Sequence, residues 1–112
     1  MAVTPKCLVE PVLLTTANVN YYTVGKGATI IDKMTVINVT AFDDVITIYL
    51  VPSGGSAGSS NRIARNLRIA PDETYEFSKV EGHILNIGDS IMAVAGNASA
   101  LSFRVSGREV AL

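Results

Sequence analysis

Hydrophobic and polar residues alternate along several short segments of the chain. The clearest alternation sets Leu101, Phe103 and Val105 against polar neighbours. Successive side chains of a β-strand point to opposite faces, so this pattern indicates a strand with one face in the core and the other in water. Residues 45–51 and 74–77 alternate in the same way, which predicts half-buried antiparallel strands.

Segment 29–40 differs, because it carries apolar residues at both odd and even positions. This pattern is typical of a central strand covered on both faces, or of a strand that bends through a bulge. Turn-forming residues separate all these segments about every ten positions, and that spacing favours a sandwich or a barrel.

Eight strands are predicted, and residues 83–87 would add a ninth. The eight cover residues 7–14, 21–24, 29–40, 45–51, 66–70, 74–77, 90–95 and 100–110. We expect an all-β protein: an antiparallel two-sheet sandwich of about eight strands, with jelly-roll connections. A meander is disfavoured because an open sheet leaves its edges exposed.

The composition supports this fold and limits the function. Val, Ile and Thr, which suit a pleated sheet, supply 32 of the 112 residues, a length that fits a single domain spanning residues 1–112. The formal net charge of −1 gives no sign of binding to nucleic acid or to an anionic membrane. With 48% hydrophobic and only 17% charged residues, we expect part of the surface to be covered by a partner.

The chain ends and the cysteine content suggest where the protein is made. Residues 1–10 lack the basic start and apolar core of a signal peptide, and no apolar run reaches the length of a membrane span. Cys7 is the only cysteine, so no intrachain disulfide is expected and a reducing cytoplasm is predicted. Residues 1–6 and 108–112 are interpreted as extended arms that become ordered on a neighbouring subunit.

No catalytic group stands out. His83 is the only histidine, and no serine lies in a Gly-x-Ser-x-Gly elbow, so neither a hydrolytic triad nor a zinc site is expected. Cys7 lies in an apolar segment and is interpreted as a small buried residue. The acidic pairs at 43–44 and 72–73 fit turns better than paired catalytic carboxylates. We therefore expect no enzymatic activity, no metal and no cofactor.

Arginines are the first candidates for binding. Arg62, Arg65 and Arg68 recur every three residues after the Gly- and Ser-rich loop 52–61, which is either a surface tip or a binding element. If Asn61 caps one helical turn, Arg62 and Arg65 share a face. Together with Arg104 and Arg108 these residues would form a basic face, which is either solvated or suited to an acidic protein surface.

Two adjacent tyrosines are the second candidates. Tyr21 and Tyr22 should face opposite sides of a strand. At least one of them is then either an exposed interface anchor or a half-exposed ring whose partner packs in the core.

Four segments of the chain resemble small β-sandwich structural proteins of tailed bacteriophages. They read YTVGKG (22–27), VINVT (36–40), IYLVPSGGS (48–56) and LNIGDSI (85–91), and the likeness runs from about residue 15 to residue 105. In size and in the order of these segments the chain is most similar to the capsid decoration proteins, also called cement or staple proteins, of epsilon15-type short-tailed phages.

This resemblance implies a function without chemistry. It implies a jelly-roll, no catalytic residues, homodimers, and attachment to the major capsid protein on the outer surface of the virion after synthesis in the bacterial cytoplasm. No nucleic-acid or membrane partner is expected. The residues predicted to bind partners are Val3, Pro5, Tyr21, Tyr22, Arg62, Arg65, Arg68 and Leu112. A tail or fibre-associated structural protein and a carbohydrate-binding module remain as alternatives, the latter disfavoured by the absence of tryptophan.

Overall fold

The alternating segments form nine β-strands in the computed structural model, which describes residues 2–111. The strands are β1 (Ala2–Leu13), β2 (Val19–Thr23), β3 (Ala28–Asn38), β4 (Asp44–Val51), β5 (Arg62–Ile69), β6 (Thr74–Glu76), β7 (Ile84–Asn86), β8 (Ser90–Ala95) and β9 (Leu101–Ala111). A single 3-10 turn, η1 (Ser78–Val80), lies between β6 and β7. Within residues 2–111 no helix is long and apolar enough to cross a membrane.

The strands form two antiparallel sheets. Sheet 1 has the order β1-β9-β3-β6, and β7 pairs with another part of the same edge of β3. Sheet 2 has the order β2-β8-β4-β5. This order, with the chain crossing repeatedly between the sheets, is that of an eight-stranded jelly-roll in which one strand is split into β6 and β7. The predicted all-β two-sheet sandwich is confirmed.

The core lies between the inner faces of the two sheets. Sheet 1 contributes the fully buried side chains of Met34, Val36, Leu101, Phe103 and Val105, and sheet 2 contributes those of Ile46, Ile48, Ile91 and Ala93. These residues occupy alternate positions of their strands, as the sequence pattern predicts. Burial of such aliphatic and aromatic groups is the main force that holds the two sheets together.

A bulge explains the unusual pattern of β3. The strand is central, pairing with β9 on one edge and with β6 and β7 on the other, and its register with β9 shifts between Ile31 and Lys33. Met34 is three positions after Ile31, and in a regular strand an odd separation would place the two side chains on opposite faces. The shift instead places Met34 and Val36 on the same inner face as Ile31. The sequence therefore shows apolar residues at both odd and even positions because of the bulge.

The segments predicted to be arms are strand ends that pair with each other. Val3 lies opposite Val110, and Pro5 lies opposite Arg108, so β1 and β9 continue as a two-stranded ladder to residues 2 and 111. The prediction of free arms is corrected to this extent, because pairing satisfies the backbone groups that a free arm would leave to water. Met1 and Leu112 lie outside the described residues.

The helical turn expected after Asn61 is absent, because Arg62–Ile69 forms strand β5 along β4. Asn61 instead closes the preceding loop: its side chain donates to the carbonyl of Ser56 at 2.9 Å and accepts from the N–H of Gly58 at 3.1 Å. Strand β5 is irregular at Asn66, which has a φ of 46°. The N–H of Asn66 donates to Thr47 Oγ1.

A fully buried asparagine fixes the loop between β3 and β4. Asn38 Nδ2 donates to the carbonyls of Phe42, at 2.7 Å, and Ile69, at 3.0 Å. Its Oδ1 accepts from the N–H and the hydroxyl of Thr40 at 2.9 and 2.7 Å. All of the hydrogen-bonding capacity of this amide is therefore used to hold the loop against the end of β5.

Replacing this amide should destabilise the fold. We expect Asn38→Ala to lower the free energy of unfolding by about 2–4 kcal/mol, because it leaves buried carbonyl and N–H groups without partners. The exposed Asn86 provides the control, and Asn86→Ala should change stability by less than about 0.5 kcal/mol. Urea unfolding curves of the two variants measure the difference; equal midpoints would contradict the role given to Asn38.

Candidate functional site

Both tyrosines that were predicted to face opposite sides pack against the core. The register of β2 with β8 shifts between Asn20 and Tyr22, and this bulge removes the alternation. The ring of Tyr21 lies 6.1 Å from that of Phe103, and burial raises the pKa of Tyr21. The predicted opposite orientation is therefore wrong, both residues are half-buried, and their role in binding a partner stays a prediction.

Tyr22 ties the two sheets together through a carboxylate. Its hydroxyl donates to Glu109 Oε2 at 2.6 Å and lies 2.8 Å from Thr29 Oγ1, which joins β2 of sheet 2 to β9 and β3 of sheet 1. Burial, with Glu109 beside it, raises the pKa of Tyr22 to about 12. The same hydrogen bond, with the Lys6 ammonium 3.5 Å away, holds the pKa of Glu109 below its ordinary value.

The arginines do not form one basic face. Arg62 and Arg68 lie on the outer face of sheet 2, opposite Tyr49 and Val45. Arg65 lines a cavity at the edge of that sheet. Arg104 and Arg108 lie on sheet 1 at the far side of the sandwich, so the predicted set of five is divided between two outer faces.

The remaining predicted binding residues lie elsewhere. Val3, with 52% of its surface exposed, and Pro5 belong to the outer face of sheet 1 near the end of β1. Leu112 is outside the described residues. The structure thus brings Arg62 and Arg68 to one face but does not gather the predicted residues into a single site.

The outer face of sheet 1 carries ion pairs beside exposed apolar residues. Leu13 and Ile37, which both lie opposite Ser102, are 47% and 37% exposed, and Ile84 is 62% exposed. Lys33 pairs with Glu76 at 2.7 Å, and Arg108 pairs with Asp32 at 2.9 Å. Ser106 lies opposite Lys33, between Arg104 and Arg108 on β9. Such exposed ion pairs contribute little to stability, but they keep this face solvated.

The outer face of sheet 2 is different, and sequence reasoning missed it. Its two central strands present the residues that we call the apolar face: Val45, Thr47, Tyr49, Val51, Met92 and Val94. Thr47 and Val51 are buried, as is Ser90 opposite Val51 on the same face, and the other four residues are half-buried. None of these residues carries a charge, and Arg62 and Arg68 border them on β5. The signal was present in the sequence, because residues 90–95 are apolar at nearly every position and not only at alternate ones.

A cavity of about 240 Å³ opens between β5 and the segment that follows β6. We call it the edge cavity. It is lined by Ile63, Ala64, Arg65, Leu67, Tyr75, Phe77, Ser78, Lys79 and Val80. Tyr75 and Phe77 form an edge-to-face pair with centroids 4.9 Å apart, and the cationic residues Arg65 and Lys79 are exposed. The cavity exists because the 3-10 turn η1 interrupts the strand that would otherwise close this edge of the sandwich.

The polar residues that could suggest a catalytic site instead stabilise turns. Ser60, His83 and Asp89 line a depression of about 380 Å³, but the carboxylate of Asp89 accepts the N–H groups of Ser53 and Asn86, both at 2.9 Å. Asp89 is thus committed to the backbone and is not available to orient the imidazole. Among residues 2–111 no three His, Cys, Asp or Glu side chains gather in a way that could hold a metal ion.

The strand order defines this protein as a jelly-roll sandwich. Comparisons of the chain with protein-family models, with curated proteins and with solved structures gave no match. Fold and surface chemistry are therefore the basis for the function that follows.

The inter-sheet hydrogen bond to Glu109 should make stability depend on pH. Its folded-state pKa lies below the ordinary value of 4.5, so its contribution is present above that pH and is lost as pH falls through the folded-state pKa. We expect Glu109→Gln to lose less stability than the wild type between about pH 7 and about pH 3. Urea midpoints at the two pH values test this, with the exposed Glu10→Gln as control; parallel losses in all three proteins would contradict it.

Proposed function

We propose that this chain is a structural virion protein that binds the outer surface of a phage capsid and stabilises the shell as a decoration protein. The sequence resemblance suggests this role, and jelly-rolls are used in viral capsid domains as well as in lectins and cupins. A fold alone does not select among such functions. The observation that carries the proposal is the apolar face of sheet 2.

The apolar face has the composition of an interface. Protein interfaces combine a core depleted of charge with a polar rim, and they are enriched in Tyr, Met and Arg. Tyr49 and Met92 lie directly opposite each other at the centre of this face, and Arg62 lies opposite Tyr49 at its border. The outer face of sheet 1, in contrast, carries ion pairs such as Lys33–Glu76 and Arg108–Asp32.

The charges at the border favour a partner other than a second copy of the same face. Arg62 and Arg68 border the face, and Arg68 forms an ion pair with Asp43. Two such faces docked with their β5 edges together would bring arginines near arginines, which is unfavourable. A shell surface with an apolar centre and acidic borders would complement this face.

The size of the face fits a lattice protein. Two strand widths of about 4.8 Å and six residues of about 3.3 Å give a plane of roughly 200 Å². This is well below the area of about 800 Å² that a standard interface takes from each partner. One such contact is therefore weak, and attachment depends on the many equivalent sites that a closed shell presents.

Two alternatives are weighed by different observations. A tail or fibre component would use the same surface, but at a few copies per particle instead of hundreds, so the ratio of this protein to the major capsid protein separates the two roles. The carbohydrate-binding alternative depended on exposed tyrosines. Tyr21 and Tyr22 are half-buried against the core, which gives this alternative less support than fully exposed rings would.

Rebinding to stripped shells tests the proposal. Purified protein mixed with particles that lack it should bind in a fixed ratio and raise the temperature at which the shell is disrupted. We expect Met92→Glu, which places a charge at the centre of the apolar face, to reduce binding at least about tenfold, because a buried unpaired charge is costly.

The matched control lies on the opposite outer face. Ser106→Glu introduces the same side chain beside Lys33 on sheet 1 and should bind like the wild type. Circular dichroism and unfolding curves show whether each variant is folded. Equal binding by the two variants, or no binding by the wild type, would overturn the proposal.

A further inference from the structure

One large aromatic residue is far more exposed than the fold requires. Phe42, in the loop between β3 and β4, has 78% of its surface exposed, the highest value among the large hydrophobic residues described. Exposure of so large an apolar ring is unfavourable in water. A ring in this position is a typical anchor for an interface.

The loop that carries Phe42 is held rigidly. The carbonyl of Phe42 accepts from buried Asn38 Nδ2 at 2.7 Å, and the Thr40 hydroxyl, 3.0 Å from the same carbonyl, donates to Asn38 Oδ1. Asn38 is itself bonded to the end of β5, so the loop is fixed to the body of the sandwich. Because the backbone is already ordered, little conformational entropy is lost when the ring is bound, and this favours affinity.

The edge cavity has the size and the lining to receive this ring. Its volume is about 240 Å³, and an apolar cavity of about 150 Å³ is enough to hold a benzene ring. It is smaller than the usual site for a drug-sized ligand, which begins at about 300 Å³. Tyr75 and Phe77 would offer a third ring the edge-to-face contacts that aromatic groups prefer.

The charges around the ring and around the cavity are complementary. Asp43 follows Phe42 directly, and Arg65 and Lys79 line the cavity. Among the ion pairs within residues 2–111, none uses Arg65 or Lys79, whereas Asp43 bonds Arg68 and keeps 43% of its side chain exposed. A copy that inserts its Phe42 would bring its Asp43 toward these cations.

Ring and cavity are also neighbours within one chain. Arg68, which bonds Asp43, is adjacent in β5 to Leu67 of the cavity lining. A two-fold interface needs a projection and a recess side by side, so that each copy gives and receives the same contact. We propose that Phe42 of one copy inserts into the edge cavity of a second copy, and the reverse, to form a two-fold dimer. This inference concerns self-association and does not depend on binding to a shell.

Two single variants test the contact from its two sides. Phe42→Ala removes the ring, and Ala64→Leu fills the cavity with an aliphatic side chain while leaving Phe42 in place. We expect each variant to weaken the dimer at least about 30-fold, as truncation of an interface anchor does. Analytical ultracentrifugation over a micromolar to millimolar dilution series measures this, with Ile87→Ala, at an equally apolar residue that is 59% exposed, as the control.

A mixture of the two variants tests whether Phe42 of a second copy is the group that occupies the edge cavity. The Ala64→Leu chain keeps its Phe42 and the Phe42→Ala chain keeps its cavity, so a mixed dimer regains one of the two contacts. We therefore expect the mixture to associate more tightly than either variant alone, whereas simple damage to the fold would not be repaired by mixing.

Three results would overturn the inference. They are a wild type that stays monomeric over the whole series, a dimer that survives both substitutions, and a mixture no tighter than its components. Shell binding is measured separately, so loss of the dimer with retained rebinding to shells refutes this inference and leaves the proposed function standing. A dimer that forms as expected, together with no rebinding to shells, refutes the proposed function and leaves this inference standing.

Discussion

In each strand of the sandwich, one set of side chains faces the space between the two sheets. The β-bulges determine which residues belong to that set. In β1 the register with β9 shifts between Cys7 and Val9, so that the neighbours Leu8 and Val9 are both buried. The bulge in β2 turns two adjacent tyrosines inward by the same means. A close-packed interior accepts polar groups only where they are hydrogen-bonded, as Asn38 is. The strands therefore bulge where a regular strand would turn an apolar residue outward.

This constraint explains how much of the fold could be predicted. The strand around Phe103 keeps strict alternation, and its boundaries and inner face follow directly from the sequence. Alternation fails at Tyr21 and Tyr22, because one extra residue in the strand reverses every later assignment and a single sequence carries no mark of where it is inserted. The helical turn predicted for Arg62 and Arg65 was wrong for another reason. Their spacing favours a helical turn locally, but pairing with β4 determines the structure of that segment.

The candidate surfaces were harder to predict than the fold. The apolar face depends on which strands are central in sheet 2, and strand order is a property of the whole chain. The edge cavity depends on the interruption of one strand by η1, which the sequence shows only as a short segment of mixed character. Phe42 was visible in the sequence as a lone aromatic in a turn, but its exposure follows from the way in which Asn38 fixes the loop.

The edges of both sheets are protected against strand addition, which leaves faces and recesses for association. β1 carries Pro5 and Pro11, β5 is bent at Asn66, and β6 and β7 have three residues each. Docking through faces can be reversed and repeated without exchange of strands, and the proposed attachment to a shell would require this.

The proposed dimer and the proposed shell contact would reinforce each other. Arg68 borders the apolar face and also bonds Asp43, the neighbour of Phe42, so the two surfaces meet at one edge of sheet 2 without sharing their central residues. A dimer built through Phe42 therefore carries two apolar faces in a fixed relation. When one face has bound a shell, the other is held near a second site at high effective concentration, provided that the spacing of the sites matches. A contact too small to hold a single copy would in this way suffice for a pair.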